Sequence, residues 1–352
     1  PRILGGDALR SIAVLGVVVI HAGYWPAANT NAESALWSSV IRLARFSVPL
    51  FVVLAGMMLE YNRKATHTAI APFLRRRGMR TIVPWIAWAG VYMAFGALVT
   101  GEVPQSAPGI ADWLAYGAGH LYFLLLVPQL YLLFLVWPRD LRGQLTLAIV
   151  LAVLQTGLCI YRLTGPVPDG LISRLVDWHG FQEAPFWLGY FAAGIVLGHL
   201  ARNGVRLRPS PGLITAGVAT VAAGSYLVLR VDPFTADSLR MFESGTGAFL
   251  LPLMPVLVVG VVILVLATAG PVLEARALLR QAVERVSRDA LGIYIIQAIV
   301  LYGMGRILFR WLQASPLIGA PAFVLLVILT FAGSIAVTEV LARTRLRFLV
   351  GL

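Results

Sequence analysis

The chain carries very little charge. Only 12% of its 352 residues are Asp, Glu, Lys or Arg, whereas soluble globular proteins carry roughly 25%, because a folded surface must be wetted. Apolar residues make up 59% of the chain, and its mean hydropathy is +0.83. These values exclude a water-soluble globular domain, and most of the protein surface must face lipid.

Cysteine, lysine and acidic residues are also scarce. The single cysteine, Cys159, excludes an intramolecular disulfide, so cysteine usage does not indicate a compartment. The net charge of +12 comes from 27 Arg and one Lys set against 16 acidic residues. These basic residues lie in short clusters between apolar runs, which is the pattern of the positive-inside rule and not of a nucleic-acid-binding protein.

Long apolar runs are what the sequence has in abundance. About 20 apolar residues cross a hydrocarbon core of about 30 Å as a helix, which satisfies its own backbone polar groups. Ten segments are predicted to cross the membrane in this way: 9–26, 40–59, 80–100, 119–137, 144–161, 183–200, 211–229, 246–269, 290–309 and 321–342. The predicted fold class is therefore all-α, a polytopic membrane bundle of about ten transmembrane helices, with residues 1–352 forming a single transmembrane domain and no soluble domain.

The distribution of arginine predicts how the bundle is oriented. With both termini in the cytoplasm and ten spans, most basic residues fall on the inner side, as the positive-inside rule expects. Eight of the 28 fall on the outer side: Arg42, Arg45, Arg162, Arg174, Arg230, Arg240, Arg306 and Arg310. The inner stretch 271–289 has apolar residues opposed by Arg and Glu, and we expect it to form an amphipathic helix along the membrane surface.

The first span contains ionisable residues, which are costly in a membrane and are therefore functional candidates. Arg10 and His21 are eleven residues apart, close to three helical turns, so they share a face and are separated by about 16 Å along the axis. Asp7, one turn before Arg10, is placed to hold its guanidinium. His21 is either a buried histidine that bonds a backbone carbonyl or a general base for a hydroxyl nucleophile, because neutral imidazole has a suitable pKa.

A basic cluster opens the third span. It consists of Arg75, Arg76, Arg77 and Arg80. One interpretation is a positive-inside anchor. The other is a clamp for the pyrophosphate and ribose phosphate of coenzyme A, because clustered guanidiniums bind phosphates well. The cytoplasmic face is also where acyl-CoA is available.

Weaker candidates lie on the outer side. His120 and Tyr122 open the fourth span, where they are either interfacial belt residues or contacts for an acceptor. His179 and Glu243, in outer segments, are further candidates for acceptor binding. The histidines show no metal-ligand spacing and no carboxylate cluster supports a zinc site. No Walker motif, dinucleotide fingerprint or nucleophile elbow is present either.

At these residues the chain resembles the acyltransferase-3 family of bacterial membrane acyltransferases. The opening run 7–21 is similar to the family's first helix, in which an Arg and a His are separated by ten residues, and Arg10 and His21 occupy those positions. The arginines at 76, 77 and 80 match its motif of a paired Arg, two residues and a further Arg.

Three further segments carry the resemblance with one departure each. Residues 48–56 are similar to the family's second helix, with Ala55 where Ser is usual. Residues 120–124 are similar to its His-Leu-Trp-Phe-Leu, with Tyr122 replacing Trp. Residues 291–297 resemble its ninth-helix signature, with Gln297 where His is common.

The resemblance implies a multi-pass protein of the bacterial cytoplasmic (inner) membrane. It implies transfer of an acyl group, most often acetyl, from acyl-CoA to a hydroxyl of an exopolysaccharide or other cell-surface glycan, including lipid-linked glycans. The expected partners are the lipid bilayer, the donor substrate acyl-CoA and the glycan acceptor, with no bound cofactor, no metal and no nucleic acid. Acyl transfer could be direct, with His21 as base, or pass through a transient acyl-histidine.

Two other classes of function are compatible with parts of the sequence. A multi-span transporter or flippase of a glycan or small solute would also place polar residues at mid-membrane, although no internal repeat is evident. A membrane sensor that has lost acyltransferase chemistry would explain the departures at Ala55 and Gln297. The intact Arg10, His21 and arginine cluster favour the enzyme.

Overall fold

The fold is known from a computed structural model. It describes residues 3–30, 35–63, 70–101, 106–114, 119–164, 183–205, 207–231, 251–312 and 320–351. The regular elements of these ranges are all helical. The α-helices are α1 Leu4–Thr30, α2 Ala35–Ala44, α3 Ser47–Tyr61, α4 Ile70–Thr100, α5 Ala107–Asp112, α6 Phe123–Leu135, α7 Leu141–Thr164, α8 Leu188–Arg202, α9 Pro211–Val231, α10 Met254–Ala275, α11 Ala277–Leu312 and α12 Ala320–Ala342. Short 3₁₀ helices cover Gly119–Tyr122, Ala184–Trp187 and Arg347–Val350.

The predicted all-α membrane bundle is confirmed. Nine helices in the described ranges are long and apolar enough to cross a membrane, and a shorter apolar helix spans His120–Leu135. Each of the ten predicted segments overlaps one of these ten helices. The cytoplasmic placement of the termini stays a prediction.

The spans divide into a set buried in the centre of the bundle and a set at its periphery. About 61% of the apolar window of α1 and 72% of that of Ser39–Tyr61 are buried, against 17% for α4, α7 and α9. Large apolar side chains such as Leu98, Ile149 and Val153 are exposed on the peripheral helices, where lipid would cover them. The first span packs against α3, α10, α11 and α12, which places its ionisable residues at the centre of the bundle.

Helices α3 and α8 pack backbone against backbone. A Cβ on Gly194 would lie 2.0 Å from the Val53 carbonyl oxygen, and one on Gly198 would lie 2.3 Å from that of Met57. Small residues permit this approach, and in lipid such van der Waals packing is a main source of helix association. The paired residue numbers rise together along both helices, so α3 and α8 run parallel.

The stretch 271–289 does not form a separate surface helix, so that prediction is wrong. Helix α10 continues to Ala275, and α11 runs without interruption from Ala277 to Leu312. The amphipathic residues form the first turns of the ninth span. Ser287 of this stretch contacts α1, and Arg285 pairs with Glu339 of α12.

Candidate active site

Helix α1 presents the three residues predicted from the first span. It runs unbroken from Leu4 to Thr30, so Asp7, Arg10 and His21 occupy one continuous helix, as predicted. Nη1 of Arg10 lies 3.8 Å from Oδ1 of Asp7. Ser287 of α11 joins them, because it accepts a hydrogen bond from Arg10 at 3.0 Å and donates one to Asp7 at 2.6 Å.

A cavity of about 230 Å³ lies between Arg10 and the basic cluster. Arg10 and Arg77 both line it, so the structure brings together two arginines that are 67 positions apart in the chain. Its remaining lining is almost entirely apolar or aromatic: Phe51, Leu54, Ala55, Met58, Leu59, Thr81, Phe123, Leu124, Val127, Tyr131, Ala290, Leu291 and Tyr294. Ala55 is therefore a wall residue of this cavity.

The four arginines of the basic cluster have different environments. Arg77 is half-buried and lines the cavity, and its Cζ lies 5.4 Å from the ring centroid of Tyr131 and 5.9 Å from that of Phe73. The other three, Arg75, Arg76 and Arg80, are exposed. At about 100° per residue, Arg75 is about 160° from Arg77 around the helix, while Arg80 is about 60° away. A ligand in the cavity would meet Arg77 first.

His21 and His120 form a pair. Their ring centroids are 5.6 Å apart in an edge-on arrangement. Gln297 of α11 holds the first ring, with its Nε2 2.5 Å from Nδ1 of His21. Nε2 of His120 lies 3.3 Å from the Ile295 carbonyl oxygen, and since a carbonyl only accepts, His120 donates and its proton is on Nε2. Both histidines are candidates from the sequence, but nothing in the sequence predicts that their rings are neighbours.

An aromatic layer connects the cavity to the histidine pair. The ring of Tyr294 lines the cavity and lies 5.7 Å from that of His120. Phe51 and Phe123 pack against Tyr294 at 6.4 Å and 6.0 Å. His21 itself is not part of the cavity lining. The arginine-lined cavity and the histidine pair are thus adjacent compartments that share the Tyr294 wall.

The other predicted acceptor residues have mixed outcomes. Tyr122 is 8% exposed, at the start of the short apolar helix. His179 and Glu243 lie outside the described residues. Within the described ranges no group of three His, Cys, Asp or Glu side chains could hold a metal ion.

Several buried polar residues were missed. Arg45, placed in an outer segment by the arginine count, is only 2% exposed and lies within electrostatic range of His21 and Tyr122. Arg42 donates to the Leu229 carbonyl at the end of α9, at 2.7 Å, where a cation suits the helix dipole. Gln297 offered a signal, since it is a polar residue inside an apolar run.

A second buried ionic group lies at the ends of α3 and α8. Glu60 is fully buried and pairs with Arg63 at 2.5 Å and with Arg202 at 2.8 Å. Arg63 also packs over the Phe134 ring at 4.5 Å and donates to the Pro138 carbonyl. This Glu60 cluster joins α3, α6 and α8. None of its members lines the cavity, although Leu59, the neighbour of Glu60 in the chain, does.

Comparison with known proteins gives a family match. The acyltransferase-3 family model, described as an acyltransferase domain, matches residues 3–339. The match covers nearly all of the chain and includes Asp7, Arg10, His21, the arginine cluster and the histidine pair. No curated protein and no solved structure matches significantly.

Proposed function

The chain belongs to the acyltransferase-3 family, and on this basis we propose which groups this membrane acyltransferase transfers. The proposed donor is cytoplasmic acyl-CoA, preferentially acetyl-CoA. The proposed acceptor is a hydroxyl of an exopolysaccharide or other cell-surface glycan, free or lipid-linked. The observation that carries the proposal is the cavity lined by Arg10 and Arg77, which shares the Tyr294 wall with the histidine pair.

The cavity suits the donor. Acyl-CoA has phosphates at one end and a thin, largely uncharged arm ending in a thioester at the other. Arg77 lines the cavity at the start of α4, with Arg76 and Arg80 flanking it on the exposed surface. Guanidiniums at an opening and apolar walls beyond them match that order of chemical groups.

The size of the cavity supports a short acyl group. Pockets for drug-sized ligands occupy about 300–1,000 Å³, and this cavity of about 230 Å³ is smaller. A small cavity favours a short acyl group such as acetyl over a long acyl chain.

The proposed reaction is direct transfer. Nε2 of His21 takes the proton of the acceptor hydroxyl while the hydroxyl oxygen attacks the thioester carbonyl carbon. Arg10, oriented by Asp7 and Ser287, lines the cavity about 16 Å from His21 along α1 and binds the CoA part of the donor there. The C–S bond then breaks, and the CoA thiolate takes the proton back from the imidazolium. The products are the acylated glycan and free CoA.

The test uses purified protein in liposomes with acetyl-CoA and a lipid-linked glycan fraction. Release of free CoA thiol should depend on the acceptor and should fall at least about 100-fold in His21→Gln, since general base catalysis contributes about 10²- to 10⁴-fold. Cys159→Ala, which removes the only thiol of the chain, is the matched background for the thiol assay. No release with any acyl-CoA and acceptor fraction, together with glycan movement across the bilayer, would establish a flippase instead.

A further inference from the structure

Gln297 is the polar side chain closest to the reactive ring. It lies in α11, its residue is fully buried, and its amide meets Nδ1 of His21 at 2.5 Å. The same turn of α11 carries Tyr294, which lines the cavity, and Ile295, whose carbonyl oxygen accepts a hydrogen bond from Tyr92 at 2.6 Å and faces His120. A single helical turn thus holds both histidines.

The amide group of Gln297 that faces Nδ1 determines which nitrogen of the His21 ring carries the proton. With Nε2 of Gln297 against Nδ1 of His21, the amide donates, Nδ1 accepts, and the neutral ring has its proton on Nε2. Imidazole in this tautomer cannot take a proton through Nε2. If the amide turns over and presents Oε1, Nδ1–H donates to it and Nε2 has a free lone pair.

The surroundings of the amide are compatible with the reversed orientation. Oε1 of Gln297 is buried and has no hydrogen-bond partner among the residues that the structure describes. Each orientation therefore makes one hydrogen bond to His21, and no second bond in this part of the chain favours the first. A glutamate at this position could only accept, and would keep the proton on Nδ1.

We propose that Gln297 is a positioning residue for the transfer: with Oε1 turned towards Nδ1 of His21, its amide holds the proton on Nδ1 and so makes Nε2 available as the base. This inference rests on the proposed acyl transfer from acyl-CoA. The amide plays the part that a carboxylate or carboxamide plays next to the histidine of other hydrolytic and transfer enzymes. It would act through His21, since Gln297 does not line the cavity.

Three variants at one position test the role in the liposome assay. Gln297→Met removes both hydrogen-bonding groups at similar size and should lower kcat about 10- to 100-fold, the effect of losing a partner that orients a functional histidine. The KM for acyl-CoA should stay within about twofold, because the cavity is untouched. Gln297→Glu and Gln297→His can still accept from Nδ1–H and should keep at least about a third of the wild-type kcat.

The matched control is Gln155→Met, because Gln155 is equally buried in α7 and accepts a hydrogen bond from the Gly189 N–H at 2.8 Å. It should lower thermal stability without changing kcat per folded molecule. The inference is overturned if Gln297→Met retains wild-type kcat, or if Gln297→Met and Gln297→Glu lose activity equally.

A spectroscopic measurement keeps this test independent of the proposed function. ¹⁵N NMR of histidine-labelled protein distinguishes protonated from unprotonated ring nitrogens, and the signals missing in His21→Gln identify His21. Gln297→Glu should keep the His21 ring in the Nδ1–H form, and Gln297→Met should lose that preference. Unchanged His21 signals in both Gln297→Glu and Gln297→Met would overturn the inference. Absence of acyl transfer by the wild type, with the NMR shift present, would refute only the proposed function.

Discussion

Replacing Arg77 with methionine tests whether the cavity receives the phosphate end of acyl-CoA. The substitution keeps an unbranched side chain but removes the guanidinium that lines the cavity. Arg77 also lies over Tyr131 and Phe73, at 5.4 Å and 5.9 Å. Loss of these cation–π contacts lowers stability by about 0.5–1 kcal/mol, which a folded membrane protein should tolerate.

The expected loss of affinity follows from the bond that is removed. A hydrogen bond to a charged group contributes about 1.5–3 kcal/mol, and each 1.4 kcal/mol changes a dissociation constant about tenfold. Arg77→Met should therefore raise the Kd for CoA by about 10- to 150-fold. Arg77→Lys keeps the charge but loses the planar guanidinium, so its Kd for CoA should lie between those of the wild type and Arg77→Met.

The assay is equilibrium binding of CoA to purified protein in nanodiscs, supported by the KM for acyl-CoA. The matched control is Arg139→Met, because Arg139 is an exposed arginine in the turn after α6, the helix whose Tyr131 packs under Arg77. It removes the same charge outside the cavity. We expect less than a threefold effect, and that effect should disappear at high salt because exposed charges are screened.

The result that would refute the reasoning is an equal effect of both substitutions. If Arg77→Met and Arg139→Met raise the Kd by the same factor, CoA senses only the general positive field of this face. A graded loss across the basic cluster is expected instead. Removing Arg77 should cost most affinity, Arg80 and Arg76 less, and Arg75, on the opposite face of α4, least.

Three further predictions concern stability, measured by thermal unfolding in detergent. Glu60→Gln removes the charge that pairs with the buried Arg63 and the partly buried Arg202, so unfolding should become easier by about 3–5 kcal/mol. Gly194→Ala places a Cβ against the Val53 carbonyl oxygen and should cost about 1–3 kcal/mol, whereas Gly157→Ala, with open space around it, should be neutral or stabilising. The Asp140 carboxylate accepts a hydrogen bond from the backbone N–H three residues on, which lowers its pKa from the ordinary value of an aspartate. Its stabilisation of α7 is therefore fully present above the ordinary aspartate pKa of about 4 and is lost as the pH falls through the lowered pKa, so wild type and Asp140→Ala should differ at pH 7 and converge on strong acidification.

Local spacing explains what the sequence could predict. The eleven-residue separation of Arg10 and His21 fixes their shared face once α1 is a helix, and Asp7 lies one turn away by the same geometry. The apolar runs are similarly local signals, so all ten segments could be located. These inferences need no knowledge of which helices are neighbours.

The partners of these residues could not be predicted for the opposite reason. Ser287 and Gln297 contact α1 from 277 and 276 positions away in the chain. No periodicity in either helix encodes that pairing. Arg45 was misplaced because the arginine count treats every arginine near a span end as a water-exposed anchor, whereas this one is buried. Burial of a charge depends on tertiary packing, which a count of residues does not contain.

Helix directions decide whether the short helix α6 counts as a membrane crossing. Ser287 pairs with Arg10 and Gln297 pairs with His21, so α1 and α11 run parallel. Helices α3 and α8 are parallel as well. Parallel spans in one chain must be separated by an odd number of crossings. With α6 included, three membrane-length or shorter apolar helices of the described ranges lie between α3 and α8, and seven lie between α1 and α11. Without α6 the two numbers are even. Counted over the described helices, both pairs have an odd number of crossings between them only when α6 is one of the crossings. Helix α6 has only 13 residues, and the 3₁₀ turn Gly119–Tyr122 that carries His120 extends it. The crossing that brings His120 to His21 is therefore a short α-helix that is lengthened by one 3₁₀ turn. His120 lies in that turn.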